Sequence, residues 1–270
     1  VCPVAIILSK LTDGVKMKKE NNKHLPSHMN YLCIEGVIGS GKTSLSNILS
    51  ERFNGRTVLE EAEENPFLAK FYTERRSFAF QTQLWFLVSR FRQLSQMVAQ
   101  QDLFHQLTVS DYIFAKDRIF ASINLDDEEY ALYNTVSGVM TSSIPKPDLV
   151  VYLQASTDVL LRRIEKRGRS FEYNMDPQYL EILNRVYNQF FFHYTETPLL
   201  IVNTNNIDFV NNESDREELI DQIISAKQGT EYYQPMGSRD RLLIEERKSI
   251  NKVKGDDSPD ASNGEVDENN

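Results

Sequence analysis

An apolar run at 31–35 gives way to Gly36-Val-Ile-Gly39-Ser-Gly41-Lys42-Thr43, and the residues that follow place Leu45, Ile48 and Leu49 on one helical face. The eight residues match G-x-x-x-x-G-K-[ST] in full, in the strand–loop–helix setting that gives the pattern its meaning. Glycines let the backbone curl tightly enough to aim successive N–H groups at phosphate oxygens beside a helix N-terminus. Lys42 adds a mobile positive charge, and the Thr43 hydroxyl suits a magnesium ion. The loop therefore predicts nucleoside triphosphate binding through Gly36, Gly39, Ser40, Gly41, Lys42 and Thr43. It also demands that the strand before it end at the carboxyl edge of a sheet.

The rest of the chain supplies such a sheet. Nearly continuous apolar runs at 31–35, 57–60, 107–111, 149–153 and 199–203 read as strands buried on both faces. Segments 42–53, 78–101, 128–143, 157–167, 177–194 and 215–227 are long enough for crossover helices. The pattern predicts an α/β domain with a five-stranded parallel sheet and helices on both faces. Residues 1–29 read as a polar appendage. Residues 30–234 read as the domain, and 235–270 as a mostly disordered polar tail with a short helix at 242–244.

Charge excludes some partners. The 270 residues carry a net −9, which argues against a nucleic-acid binder needing a basic face. The imbalance is uneven. The first 28 residues hold five Lys and two acids, and the last fifteen hold six acids and no base, which leaves −6 for the body. Cys2 and Cys33 cannot make a disulfide framework; a buried Cys33 thiol points to a reducing, cytoplasmic setting. No apolar run approaches the ~18–20 residues of a membrane span. The four histidines have no metal-ligand spacing, which argues against catalytic zinc.

No Asn-Lys-x-Asp segment follows a later strand, so the guanine-reading GTPases do not fit. The strand at 149–153 is followed instead by Arg162-Arg163-Ile-Glu-Lys166-Arg167-Gly168-Arg169, five bases in eight positions. Arg163, Arg167 and Arg169 are the candidates to line one side of a helix end over a phosphate chain, where guanidinium groups stabilise charge developing in phosphoryl transfer. A solvated helix face is the plainer alternative.

Four stretches in this order resemble the deoxynucleoside kinase family, especially its bacterial deoxyadenosine/deoxyguanosine kinase branch. They are Ile34-Glu-Gly-Val-Ile-Gly-Ser-Gly-Lys-Thr43, Glu60-Glu-Ala-Glu-Glu-Asn-Pro66, Ser110-Asp-Tyr-Ile-Phe-Ala-Lys-Asp117-Arg118, and Tyr152-Leu-Gln-Ala with Arg167-Gly-Arg169. The resemblance covers residues 30–209 and implies a P-loop kinase fold with an arginine-rich lid near 162–172.

The resemblance assigns roles. Glu60, closing the second strand, is implied to be the general base for a nucleoside 5′-hydroxyl; Glu61, Glu63 and Glu64 are its rivals by sequence alone. Lys42, Arg163, Arg167 and Arg169 are the implied catalytic cations. Gln83 is implied to hydrogen-bond the base; Gln81 competes, but Gln83 lies two turns before Arg90, which would pair with Asp117. Phe80, Trp85 and Phe86 read as core or pocket wall. Tyr72 and Glu172 match positions that bind the sugar 3′-hydroxyl. Thr43 and Asp111 would hold Mg²⁺. One departure stands out: many relatives have an Arg after the acid, where this chain has Tyr112, leaving Lys116, Arg118 or the Arg163–Arg169 group to supply that charge.

The combined expectation is an ATP- and Mg²⁺-dependent kinase that makes a deoxynucleoside 5′-monophosphate in salvage, with a purine preference. The alternatives are a deoxycytidine- or thymidine-preferring kinase, a nucleoside-monophosphate kinase, and a nucleotide-binding protein without turnover. A homodimer burying helical faces of 78–101 and 128–143 is expected, with no nucleic-acid or membrane partner.

Overall fold

A computed structural model describes residues 24–99, 105–169, 172 and 175–237. Most of the expected appendage, most of the tail, the helix at 242–244 and Cys2 lie outside the described residues.

The chain runs β1 (Tyr31–Gly36), α1 (Lys42–Arg52), β2 (Arg56–Val58), α2 (Leu68–Thr73), α3 (Arg75–Ala99), β3 (Thr108–Ser110) and α4 (Lys116–Asn124). It continues through α5 (Asp127–Thr141), β4 (Leu149–Gln154), α6 (Thr157–Arg167), α7 (Pro177–Phe192), β5 (Leu199–Asn203), α8 (Glu213–Ser225) and β6 (Thr230–Tyr233). The sheet order is β2-β3-β1-β4-β5-β6, and every pairing is parallel. β1 lies between β3 and β4, with Cys33 opposite both Ser110 and Val150.

The apolar runs work as expected of strands covered on both faces. Leu32 and Ile34 of β1, with Val151 and Leu153 of β4, pack against Leu45 and Leu49 of α1 and Leu219 and Ile223 of α8. The intervening Cys33, Val150 and Tyr152 pack on the other face with Leu180, Leu183 and Tyr187 of α7. A third cluster joins Leu87 and Leu94 of α3 to Tyr133 of α5. No helix among the described residues is long and apolar enough to cross a bilayer.

The sheet has six strands, not five. β6 was missed because Thr230-Glu-Tyr-Tyr233 is a short edge strand with alternating exposed and half-buried residues, which gives no continuous apolar signal. α2 and α4 were also missed: at six and nine residues they are too short to show a helical period. β2 ends at Val58, so Glu60 lies two residues past the strand instead of closing it. The ladder nonetheless persists, since Asp111 N–H donates to Val58 O at 3.3 Å.

Candidate active site

The P-loop is shaped by close approach. Gly41 caps α1 with φ of 100°, and a Cβ there would meet Phe209 Cζ at 2.7 Å. Gly39 has φ of 84°, and its Cβ would lie 2.8 Å from Ile164 Cγ1 and 2.9 Å from Leu160 O. Left-handed backbone with no room for a side chain selects glycine at both. The Lys42 ammonium curls back to donate to Gly36 O at 2.8 Å and Val37 O at 3.2 Å. Burial, followed by repulsion from Lys116, brings its pKa down to about 8. Beside the loop opens a cleft of about 650 Å³, bounded by the P-loop, the basic face of α6 and residues 205–211.

One carboxylate ties this loop to the next strand. Thr43 Oγ1 donates to Asp111 Oδ2 at 2.6 Å, and the backbone N–H of Glu60 donates to Asp111 Oδ1 at 2.7 Å. Glu60 is thereby set at the sheet edge with both oxygens occupied. Arg90 donates to Oε1 through Nε at 3.0 Å and through Nη2, and Lys116 Nζ donates to Oε2 at 2.8 Å. Burial raises the Glu60 pKa, but Lys116 and Arg90 outweigh it and hold the group well below the usual carboxylate range. Arg90 also donates to Asp117 Oδ1, and Tyr133 Oη donates to Asp117 Oδ2 at 3.0 Å. Burial pushes the Asp117 carboxyl up to about 6, against the pull of Arg90. Behind these lies Glu35, wholly buried, accepting from Gly36 N–H at 2.8 Å and Ile113 N–H at 3.0 Å.

Glu60, Lys116, Arg90, Tyr72, Gln83 and Glu172 share a second cavity of about 220 Å³ with Lys42, Thr43 and Asp111. Phe71, Phe86 and Tyr179 are among its apolar walls. Gln83 is buried, and among the described residues neither its Oε1 nor the Thr82 hydroxyl has a hydrogen-bond partner. An unmade hydrogen bond at a buried amide costs about 1–3 kcal/mol, so the arrangement suits a ligand with a polar edge. Gln81 is exposed, and of the four acids at 60–64 only Glu60 lines the cavity.

The two spaces meet at the arginine-rich loop. Arg167 and Arg169 line both. Gly168 ends α6 in a left-handed turn between them. Arg167 clasps the buried Glu172 with contacts of 2.5–3.2 Å, and Arg169 Nε lies 3.3 Å from Glu63. Arg163 lines only the P-loop cleft. Its guanidinium donates to the carbonyls of Ser40 (3.4 Å), Thr204 (2.8 Å) and Ile207 (3.4 Å), which braces the loop. Tyr112 is not part of the cavity lining and donates to Gln93 Oε1 at 2.6 Å. Arg118 is exposed, so of the cations considered in place of the Arg, Lys116 is the one bonded to Glu60. No sequence motif includes Thr82, Phe71, Tyr179 or residues 205–211. Gln83, Phe86 and Arg90 share a helical face, but nothing marks Tyr179 or the 205–211 loop.

The family model for deoxynucleoside kinases matches residues 32–227. The deoxyguanosine kinase of Bacillus subtilis is 36% identical over 193 residues, covering 70% of this chain and 93% of that protein. The deoxyadenosine kinase of Lactobacillus acidophilus is 31% identical over 206 residues, covering 71% and 94%. Among solved structures, the deoxyadenosine kinase of M. mycoides with bound dATP superposes with a TM-score of 0.63 at 26% identity, covering 72% of this chain and all of that one.

Proposed function

Because the chain belongs to the deoxynucleoside kinase family, we propose that it transfers the γ-phosphoryl group of ATP to the 5′-hydroxyl of a purine deoxynucleoside in salvage. The observation that carries the reading is the buried Gln83 Oε1, without a hydrogen-bond partner among the described residues, in a cavity that also holds Glu60. That cavity is joined by Arg167 and Arg169 to the P-loop cleft. The purine preference takes support from the relatives named deoxyguanosine and deoxyadenosine kinases.

The P-loop from Gly36 to Thr43 cradles the triphosphate of ATP. Gln83 reads the base edge between Phe86 and the opposite wall, and the Arg90–Asp117 pair stiffens that side. Tyr72 and Glu172 face the 3′-hydroxyl. Glu60 accepts the 5′-hydroxyl proton as the new O–P bond forms, so its position matters more than its basicity. Arg167 and Arg169 close over the phosphates between the two spaces, and Arg163 fixes the loop that binds them. The oxygens of Thr43 and Asp111, 2.6 Å apart, fit Mg²⁺, which prefers a few protein oxygens completed by water and phosphate. When bound, the ion would neutralise phosphate charge. On the acceptor side of the cavity, Arg90 and Lys116 are engaged with Glu60 and Arg167 with Glu172, so it suits a neutral nucleoside better than a monophosphate.

Exposed Val88 on α3 and Leu132 and Val139 on α5 support a homodimer formed through these helices. The wholly buried Cys33 thiol supports a reducing, cytoplasmic location. The test is ADP formation with deoxyadenosine, deoxyguanosine, deoxycytidine and thymidine, with dAMP and dTMP as controls. Turnover is expected on the purine deoxynucleosides; turnover on none of the four, or on the monophosphates instead, refutes the reading.

A further inference from the structure

We propose that Lys116 is a catalytic residue: its ammonium holds Glu60 before the nucleoside binds, then moves onto the phosphoryl group in transit. The proposal rests on the kinase reading above. Glu60 is crowded by cations. Both oxygens of Glu60 are taken, Oε1 by Arg90 and Oε2 by Lys116. Each carboxylate oxygen has two acceptor positions; Arg90 takes both at Oε1 through Nε and Nη2, so an incoming hydroxyl must approach at Oε2, where Lys116 sits.

Arg90 is the wrong one to move. Lys116 is as buried as Arg90, and each cation lies over a ring, Phe120 and Phe86, but the other end of Arg90 pairs with the buried Asp117, which Tyr133 anchors. Withdrawing it would strand a buried carboxylate. Lys116 has no second hydrogen-bond acceptor among the described residues. It begins α4 on a flexible four-carbon stem, and it shares its cavity with Lys42, Thr43 and Asp111. A lysine ammonium can rotate to a new acceptor, where a guanidinium fork in two pairs cannot.

The step then balances. The nucleoside 5′-hydroxyl takes the place of Lys116 at Glu60 Oε2. The O5′–Pγ bond forms as the bond from Pγ to the β–γ bridging oxygen breaks, and the electron pair leaves with ADP. The hydroxyl proton passes to Glu60. The displaced ammonium faces the oxygens of the moving phosphoryl group, where a preplaced cation is worth most. Lys116 would thus convert substrate binding into transition-state charge stabilisation.

The experiment compares the parent with Lys116→Met and Lys116→Arg in steady-state kinetics. It also measures binding of nucleoside, of ATP, and of ADP–aluminium fluoride with nucleoside, a mimic of the phosphoryl in transit. Trp85 is the chain's one tryptophan and packs edge-on against the cavity wall residue Phe86, so its fluorescence reports binding. Lys116→Met is expected to lower kcat roughly 100- to 1,000-fold, as losing one transition-state partner does. It should weaken the aluminium fluoride complex by a similar factor, with nucleoside and ATP affinities nearly unchanged and Lys116→Arg partly active. If Lys116→Met does not keep the parent's melting transition, Lys116→Gln, which can still donate to Glu60, replaces it. A kcat loss matched by loss of nucleoside affinity, or an unaltered aluminium fluoride complex, overturns the proposal and leaves Lys116 as a prop for Glu60. An active parent with an equally active Lys116→Met overturns it alone; a parent that phosphorylates no deoxynucleoside brings down the kinase reading and this proposal together.

Discussion

Replacing Arg90 with Met should leave a pH-dependent wound centred on Asp117. The guanidinium is 3% exposed and bonds Glu60 and Asp117 at once. Methionine fills part of the space but leaves Asp117, 1% exposed, with Tyr133 as its remaining hydrogen-bond partner. Removing one partner of a buried ion pair costs about 3–5 kcal/mol, which for a domain of this size lowers Tm by roughly 6–20 °C. The pH dependence follows from the carboxyl. With Arg90 present, its pKa stands at about 6; without that attraction it rises further. Above pH 6 the parent's folded state has released this proton, while the variant's folded state still holds it, and the unfolded chains have lost it in both cases. Stability falls with rising pH wherever the folded state binds the extra proton, so the gap between variant and parent widens by about 1.4 kcal/mol per pH unit above pH 6. Urea melts at pH 6, 7 and 8 measure it. Adding Asp117→Asn to Arg90→Met should recover about 1–3 kcal/mol at pH 8 and remove the widening. A gap that stays constant from pH 6 to 8, or a double variant no more stable than Arg90→Met, would refute the account of this pair.

Three further outcomes are expected. Glu60→Gln should lower kcat by roughly 100-fold or more while ATP affinity holds within a few-fold, because the base acts only on the acceptor; equal losses in both would reassign it. Gly39→Ala, forced to φ of 84° with its Cβ 2.9 Å from Leu160 O, carries roughly 1–2 kcal/mol of backbone strain before any clash, and isothermal titration should find ATP binding weakened at least tenfold. Tyr112→Phe loses one buried neutral hydrogen bond to Gln93, worth about 1 kcal/mol; a small drop in Tm with kcat kept within twofold is expected, and a large kcat loss would place the tyrosine in the chemistry.

What the sequence made legible follows from what kind of signal each feature leaves. The buried parallel strands announce themselves because both faces must be apolar, and the P-loop does so because its glycines are imposed by clashes with Phe209 and Ile164. That Gln83 and not Gln81 lines the cavity was readable from the seven-residue step to Arg90, a property of a single helix. Other features depend on chain segments distant in sequence and leave no local mark. Lys116 meets Glu60 across 56 positions, and Arg163 spends its donors on carbonyls at 204 and 207, about forty residues on. A basic run in the sequence therefore gave the neighbourhood of the phosphate cleft but not which arginine braces and which faces the phosphates.

The acidity of the body acquires a structural meaning at the same place. The P-loop cleft is lined by Lys42, Arg162, Arg163, Lys166, Arg167 and Arg169 against one acid, Asp208. With the shared Lys42, Arg167 and Arg169 left out of both spaces, the cleft keeps Arg162, Arg163 and Lys166 against Asp208, and the neighbouring cavity sets Arg90 and Lys116 against Glu60, Asp111 and Glu172. The same few elements thus present a strongly positive space beside a nearly neutral one, and at close range in a partly buried site that contrast is little screened by salt. A polyphosphate is attracted to one side only, and an uncharged acceptor meets no electrostatic cost on the other. The net charge of the whole chain conceals this polarity because it sums 39 acids spread along the sequence, six of them in the last fifteen residues. Neutralising Glu172 would therefore do more than remove the proposed sugar contact: it would release Arg167 toward the phosphates and blur the boundary between donor and acceptor sides.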